Sequence, residues 1–349
     1  MNIVSWTLAN ENAPALHDAL KSADGIADAC LVVWTGSEPS ALGSVPDRMG
    51  KHAQVHRRYW RWRDSFAAAR NAALDFVCDM GAEWSCMVDS DESIVCKDPI
   101  AFRAWLFALP PGIRVALAHA EDGSHTRERF FRSTSPHYFK GRTHEVYPAT
   151  MAEQAIIPRE LITWSELPKT QEQLCVKFAR DVQMLQADIA DDPKNGAAYY
   201  YLGASLQSLA IMAYGDKTLA AEWYQQAIDA FRSNADLDAW EGGAWSCFKA
   251  AECYIALGQP NRALDCAAAG LVRDAGIGEL YWIAGVASLL EGRHEQARCW
   301  AMAAKAHGIG SEAEKRRRGF RLMRGLTTGP DEVLADVERS VMYVAHGVV

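Results

Sequence analysis

The hydrophobic period of this chain changes once, near residue 165, and that change restricts the fold more than any single motif does. Before it, short apolar runs alternate with helix-like spacing, the pattern of an α/β layer fold. Residues 3–8 read as a first strand, residues 13–22 follow with helical spacing, and residues 29–34 (Ala-Cys-Leu-Val-Val-Trp) are wholly apolar, like a strand covered on both faces. Thr35-Gly36-Ser37 ends that run. Phe66, Ala69, Ala73 and Phe76 recur at helical intervals with Ser65 or Asp64 as N-cap, which predicts a helix over 65–80. Residues 84–88 then run as a strand into Asp89-Ser90-Asp91-Glu92. The acidic cluster therefore sits at a strand's carboxyl end, the edge where open α/β sheets bind ligands.

After about residue 170 the strand pattern gives way to long amphipathic helices rich in Ala, Leu and Tyr. Aligned on Gly258 and Gly292, 34 residues apart, two segments share a skeleton: Ala251, Tyr254, Gly258, Ala263 in one and Gly285, Ser288, Gly292, Ala297 in the other. An earlier copy carries Tyr199, Leu202, Gly203 and, after a short insertion, Ala220, Tyr224 and Ala227. Small residues let paired helices approach closely, and aromatics fill the gaps between pairs. Over about 140 residues this half resembles the tetratricopeptide repeat family. The expected division is an α/β domain over 1–168 and a helical repeat domain over 169–349, each large enough to fold on its own core.

The chain has 349 residues, 49% of them hydrophobic, and a formal net charge of -8. That excess of acid argues against a surface built to hold polyanions throughout. Local basic runs remain at His56, Arg57, Arg58, Arg61 and Arg63, and at residues 315–318, the latter read as a solvated helix face. Nine cysteines, odd in number and never spaced C-x-x-C, point to reduced thiols and not to a zinc site. The first residues lack a basic signal-peptide start, and no window approaches 18 unbroken apolar residues, so the expected location is the cytoplasm.

Transfer of a sugar from a nucleotide donor needs the leaving diphosphate neutralised, which a divalent ion on carboxylates does well. Mg²⁺ and Mn²⁺ take oxygen ligands and are often held by one or two carboxylates plus the substrate's phosphates, so Asp89 and Asp91 are suitably spaced. Arg70 and Asn71, on the preceding helix, supply a cation and an amide for a nucleotide. Arg129 and Arg132, flanking Phe130 and Phe131, read as the outer positions of a half-buried strand. Glu121-Asp122-Gly123 reads as a hairpin turn.

Residues 65–74 (Ser-Phe-Ala-Ala-Ala-Arg-Asn-Ala-Ala-Leu), followed by residues 84–92 (Trp-Ser-Cys-Met-Val-Asp-Ser-Asp-Glu), resemble the core signature of glycosyltransferase family 2, with its GT-A fold, a Rossmann-like mixed sheet. Arg129-Phe130-Phe131-Arg132 and Phe139-Lys140-Gly141-Arg142-Thr143-His144-Glu145 resemble the family's downstream part, and such members often carry tetratricopeptide repeats. The resemblance implies a metal-dependent transfer, with inversion, from a UDP- or GDP-linked sugar to a hydroxyl. It implies Asp89 near the ribose or diphosphate, Asp91 on Mn²⁺ or Mg²⁺, Arg70 and Asn71 against the nucleotide, and His144 completing the metal shell or touching the diphosphate. Glu145 is implied as general base. Asn10-Glu11 matches the family's polar pair after the first strand. Trp34 stands where members carry an acid that reads the base, so either the base is recognised differently, by stacking on an aromatic ring, or the donor pocket has changed. Ile162-Thr163-Trp164-Ser165 lacks the histidine found there in relatives.

The implied acceptor is a glycan, a protein or a modified nucleobase, and the repeats imply a protein partner or self-association. The alternative is a catalytically degenerate domain that works with its repeats as an interaction scaffold. A nucleotidyltransferase is a weaker third, since residues 8–14 hold no glycine-rich phosphate loop.

Overall fold

The computed structural model describes residues 2–11, 13, 15–37, 43, 45, 47–49, 53–213, 215–237, 242–307 and 328–345. The basic run at 315–318 lies outside them. The chain forms two compact units, Met1–Lys169 and Thr170–Val349.

The first unit is built on a mixed ten-stranded sheet: β1 (Ile3–Ala9), β2 (Ala29–Trp34), β3 (Arg48–Met49), β4 (Ala53–Tyr59), β5 (Trp84–Met87), β6 (Glu92–Cys96), β7 (Val115–Ala120), β8 (Thr126–Arg132), β9 (Gln154–Ile156) and β10 (Ile162–Glu166). Their order is β3-β4-β2-β1-β5-β8-β7-β10-β6, with β9 on β7. β4, β2, β1 and β5 run parallel, and β8 pairs antiparallel with β5. Helix α1 (Leu16–Ser22) links β1 to β2, α2 (Phe66–Asp79) precedes β5, and α3 (Pro99–Phe107) follows β6.

The parallel strands are apolar because both faces are covered. Ile3, Val4, Trp6, Leu31, Val32 and Val33 are fully buried. α2 starts where expected: Ser65 is extended and accepts a hydrogen bond from the Ala68 N–H at 3.1 Å, capping a helix whose Ala69, Ala73 and Val77 stripe packs inward. β7 and β8 form the expected hairpin, with Gly123 at φ +75° in its turn. The sequence pattern does not mark the strands β3, β4, β6, β9 and β10.

The second unit is helical. Its described helices are α4 (Gln171–Asp191), α5 (Gly196–Met212), α6 (Lys217–Leu237), α7 (Gly243–Ala256), α8 (Pro260–Arg273), α9 (Gly278–Leu290), α10 (His294–His307) and α11 (Gly329–Ala345). They pack as successive pairs, α5 with α6, α7 with α8 and α9 with α10, in the manner of tetratricopeptide repeats. Gly258 and Gly292, the alignment anchors, are the left-handed turn residues of the second and third pairs, at φ +68° and +70°. Ala251, Ala263 and Ala297 are fully buried, as close helix contact requires. None of the described helices is long and apolar enough to cross a membrane.

Candidate active site

Because β1, β2, β4 and β5 are parallel, their carboxyl ends share one edge of the sheet. Asn10-Glu11, Thr35-Gly36-Ser37 and Asp89-Ser90-Asp91 all follow those ends. The first two are laced together. Thr35 donates its backbone N–H (2.8 Å) and its hydroxyl (3.1 Å) to the Ala9 carbonyl, and Ser37 Oγ donates to Glu11 Oε1 at 3.0 Å. Gly36 leaves room for this: a Cβ there would lie 2.5 Å from the Glu11 carboxylate oxygens.

Arg70 of α2 is the hub of the site. Its Nη1 and Nη2 donate to the two oxygens of Asp89 at 3.0 and 3.1 Å, a bidentate pair, and its Nε donates to Glu145 Oε1 at 2.5 Å. Nη1 also meets the Met87 sulfur, and the guanidinium lies over the Phe139 ring. Burial alone would lower the Arg70 pKa, but the charges of Asp89 and Glu145 outweigh it and raise it. Burial conversely works to raise the Asp89 pKa, and the Arg70 charge overrides it, holding that carboxyl below its usual range.

Glu145 reaches Arg70 because its loop is fastened to α2 at two points. The Asn71 side chain donates to the Phe139 carbonyl (3.0 Å) and accepts from the Phe139 N–H (2.8 Å), and the Phe66 N–H donates to the Arg142 carbonyl (2.7 Å). Lys140 and Val146 close the loop with two backbone bonds of 3.0 Å. Within it Gly141 has φ +92° and His144, a non-glycine residue, φ +50°. Such left-handed backbone on a side-chain-bearing residue costs about 1–3 kcal/mol and gathers at functional sites. Asn71 is thereby a clamp for this loop, in place of the nucleotide contact expected of it.

A second network lies beside Asp89. Glu92, at the start of β6, accepts the Asp89 N–H at 3.0 Å and Arg129 Nη2 at 2.6 Å. Its side chain is 3% exposed and that of Arg129 is 1% exposed. Burial, then the Asp89 charge, pushes Glu92 up to about 7, against the pull of Arg129. Arg129 owes its position to a bulge: Ala116 pairs with Phe130 and Leu117 with Glu128, so Arg129 is the extra residue on β8 and breaks the in–out alternation. Its guanidinium stacks on Trp164 at 4.4 Å. The expected outward-facing arginine is thus corrected to a fully buried one. Arg132 is mostly covered too, donating to the Ile113 carbonyl at 2.9 Å and lying 4.4 Å over Trp84.

Asp91 takes a different partner. Lys169 Nζ lies 2.7 Å from its Oδ2 and also contacts Glu166, while the Leu167 N–H donates to the Asp91 carbonyl at 2.8 Å. Asp91 is the most open acid of the triplet, its side chain 41% exposed. Its hard oxygen donors suit Mn²⁺ or Mg²⁺ as a single carboxylate ligand. Asp89 has both oxygens committed to Arg70, and among the described residues no three His, Cys, Asp or Glu side chains gather as a metal-holding group. The expected Asp89–Asp91–His144 shell is therefore not assembled, and Asp91 alone fits the role.

Trp34 is 5% exposed and belongs to the core cluster of Ala9, Leu20, Cys30, Val32, Val45 and Val55. Its ring is covered, which removes it as a stacking surface for a base. The residues that sequence patterns missed are Glu92, Arg129 and Lys169. Glu92 lies in the acidic run and Arg129 in the Arg-Phe-Phe-Arg segment, but the pattern gives neither a place in the site, and Lys169 leaves no signal.

No family model matches this chain, and no curated protein matches it. Solved structures do, at low scores. They include the tetratricopeptide domain of Sgt2 from Aspergillus fumigatus (18% identity, 42% of this chain and 83% of that one, TM-score 0.31). MamA matches at 14% identity over 51% of this chain and 98% of its own, with TM-score 0.32. The Yersinia enterocolitica type III secretion chaperone SycD, in complex with a peptide of the translocator YopD, matches at 20% identity over 39% and 92%, with TM-score 0.29. Likeness of this degree brings neither activity nor partner to this chain.

Proposed function

We propose that the first unit is a GT-A glycosyltransferase of the family 2 type, moving a sugar from a nucleoside-diphosphate donor to a hydroxyl with inversion. The observation that carries this is the meeting of Arg70, Asp89 and Glu145 at the carboxyl end of β5, beside the half-exposed carboxylate of Asp91. Arg70 holds Asp89 charged and fixes Glu145. Glu145 accepts only through Oε1 among the described residues. Its Oε2 is then the atom that takes the acceptor hydroxyl's proton as that oxygen attacks the anomeric carbon and the nucleoside diphosphate leaves. A divalent ion on Asp91 would supply charge to the leaving diphosphate.

The test is release of nucleoside diphosphate from a panel of UDP- and GDP-sugars with Mn²⁺. Glu145→Gln is expected to lose turnover, by about a hundredfold or more, while keeping nucleotide binding. Equal turnover in Glu145→Gln and wild type would remove Glu145 as the base.

One observation favours the scaffold alternative: each acid of the triplet already holds a protein cation or a buried partner. Full lack of turnover and of nucleotide binding, with the helical repeats intact, would favour that alternative.

A further inference from the structure

The carboxylate best suited to a metal is not open for one. Asp89 is closed by the two-pronged contact of Arg70, and Asp91 carries the Lys169 ammonium 2.7 Å from Oδ2. We propose that Lys169 is the resident counter-cation of Asp91, competing with a divalent ion for that carboxylate, so that the ion binds tightly only together with nucleotide phosphates. This rests on the transferase reading of the Asp91 turn.

Three features hold Lys169 there. The Leu167 N–H donates to the Asp91 carbonyl, so the backbone of the segment after β10 is pinned to the turn it serves. Pro168 stiffens the step between Leu167 and Lys169 by fixing its φ. Glu166, paired in register with Glu92 across β10 and β6, accepts from the same ammonium and keeps it from swinging away. Three-quarters of the Lys169 side chain is covered, more than of either acid it joins.

An ammonium is a compact point charge and sits where a hard cation would. A free Mn²⁺ or Mg²⁺ must displace it, gaining one carboxylate in exchange for water and leaving Lys169 with Glu166 alone. A nucleotide changes the balance. Its phosphates add oxygen ligands for the metal and give the displaced ammonium a new anion. The site is thereby selective for the metal–nucleotide complex over the bare ion.

The experiment titrates Mn²⁺ into the full chain, following free Mn²⁺ by electron paramagnetic resonance, first without nucleotide and then with UDP or GDP. Lys169→Met is expected to bind bare Mn²⁺ about tenfold or more tightly than wild type, since a cation in direct contact with the ligand is gone. Lys169→Arg should stay near wild type, and adding Asp91→Asn to Lys169→Met should cancel the gain. With nucleotide present the gap between Lys169→Met and wild type should narrow. Equal Mn²⁺ affinity in wild type and Lys169→Met, or a gain in Lys169→Arg as large as in Lys169→Met, would overturn the proposal. So would absence of Mn²⁺ binding in every variant. If the proposal fails while UDP or GDP still binds the wild type, the transferase reading survives it. Unfolding midpoints of the variants matching wild type show that the fold is unchanged.

Discussion

The two units of this chain use their interiors differently. The helical unit is closed by small residues: Gly203 lies so near Phe231 that a Cβ there would be 2.7 Å from its ring, and Gly270 faces Leu280 at 2.6 Å. Its polar contacts, such as Asn234 Nδ2 donating to Ser246 Oγ at 2.7 Å between α6 and α7, join one helix to the next. The helical unit keeps its buried Asp181 within one helix, paired with Lys177 and Arg180, whereas the sheet unit gathers charge from separate elements beside the carboxyl end of β5: Arg129 with Glu92, fully buried, and Arg70 with Asp89 and Glu145, mostly covered. Charge removed from water is unfavourable unless each group is paired. The joining of separate elements by ion pairs at one edge of the sheet marks where this chain spends stability on something other than packing.

The sharpest way to break that contrast is Arg129→Met. It leaves the buried Glu92 with only the half-exposed Arg127, 3.4 Å from its Oε1, and about 3 kcal/mol of stability should be lost from the sheet unit in denaturant unfolding. The loss should depend on pH. Glu92 is pushed up to about 7 from an ordinary 4.5, so the folded state holds this proton more tightly than the unfolded state. Its contribution is therefore fully present below about pH 4.5 and is lost as pH rises through about 7. Arg129→Met should accordingly be milder at pH 5 than at pH 8, and Glu92→Gln should flatten the pH dependence of stability between them. An unchanged slope in Glu92→Gln would show that Glu92 is not the titrating group.

Arg70→Met comes next. Asp89 and Glu145 are partly solvated, so the expected cost is smaller, about 1–3 kcal/mol, with loss of nucleotide binding. If stability falls but binding persists, Arg70 serves the fold alone. In the helical unit, Gly203→Ala should cost about 1–3 kcal/mol by overpacking against Phe231. Gly285→Ala, whose Cβ would meet Ala297 and Ala301 backbone at 3.4 and 3.5 Å, should cost less than about 1 kcal/mol. Neither should alter nucleotide or metal binding by the sheet unit.

What could be read in the residues was what short-range periodicity encodes. Ser65 with the Ala69–Ala73 spacing marks α2 and its cap, Glu121-Asp122-Gly123 marks the β7–β8 turn, and the spacing of Gly258 and Gly292 marks two helix-pair turns. The missed features depend on contacts distant in sequence or on local departures from the period. An alternating strand put Arg129 outside, and one extra residue in β8 turned it inside. Trp34 looks like a replaced base-reader in the sequence, but β4, unforeseen, pairs beside β2 and adds Val55 to the core around that ring. Asn71 resembled a ligand contact because it neighbours Arg70, yet both ends of its amide are used by Phe139. Lys169 had no signal, since only the return of the chain along β10 brings it to Asp91.

The measurement that bears most directly on the sheet unit's proposed role is calorimetric titration of UDP and GDP, each with Mn²⁺, into wild type, Asp91→Asn and Gly203→Ala. One-to-one binding of at least one nucleotide by wild type and Gly203→Ala, lost or weakened at least about tenfold in Asp91→Asn, is the predicted result. No binding of either nucleotide by any of the three, or binding indifferent to Asp91→Asn, would contradict it.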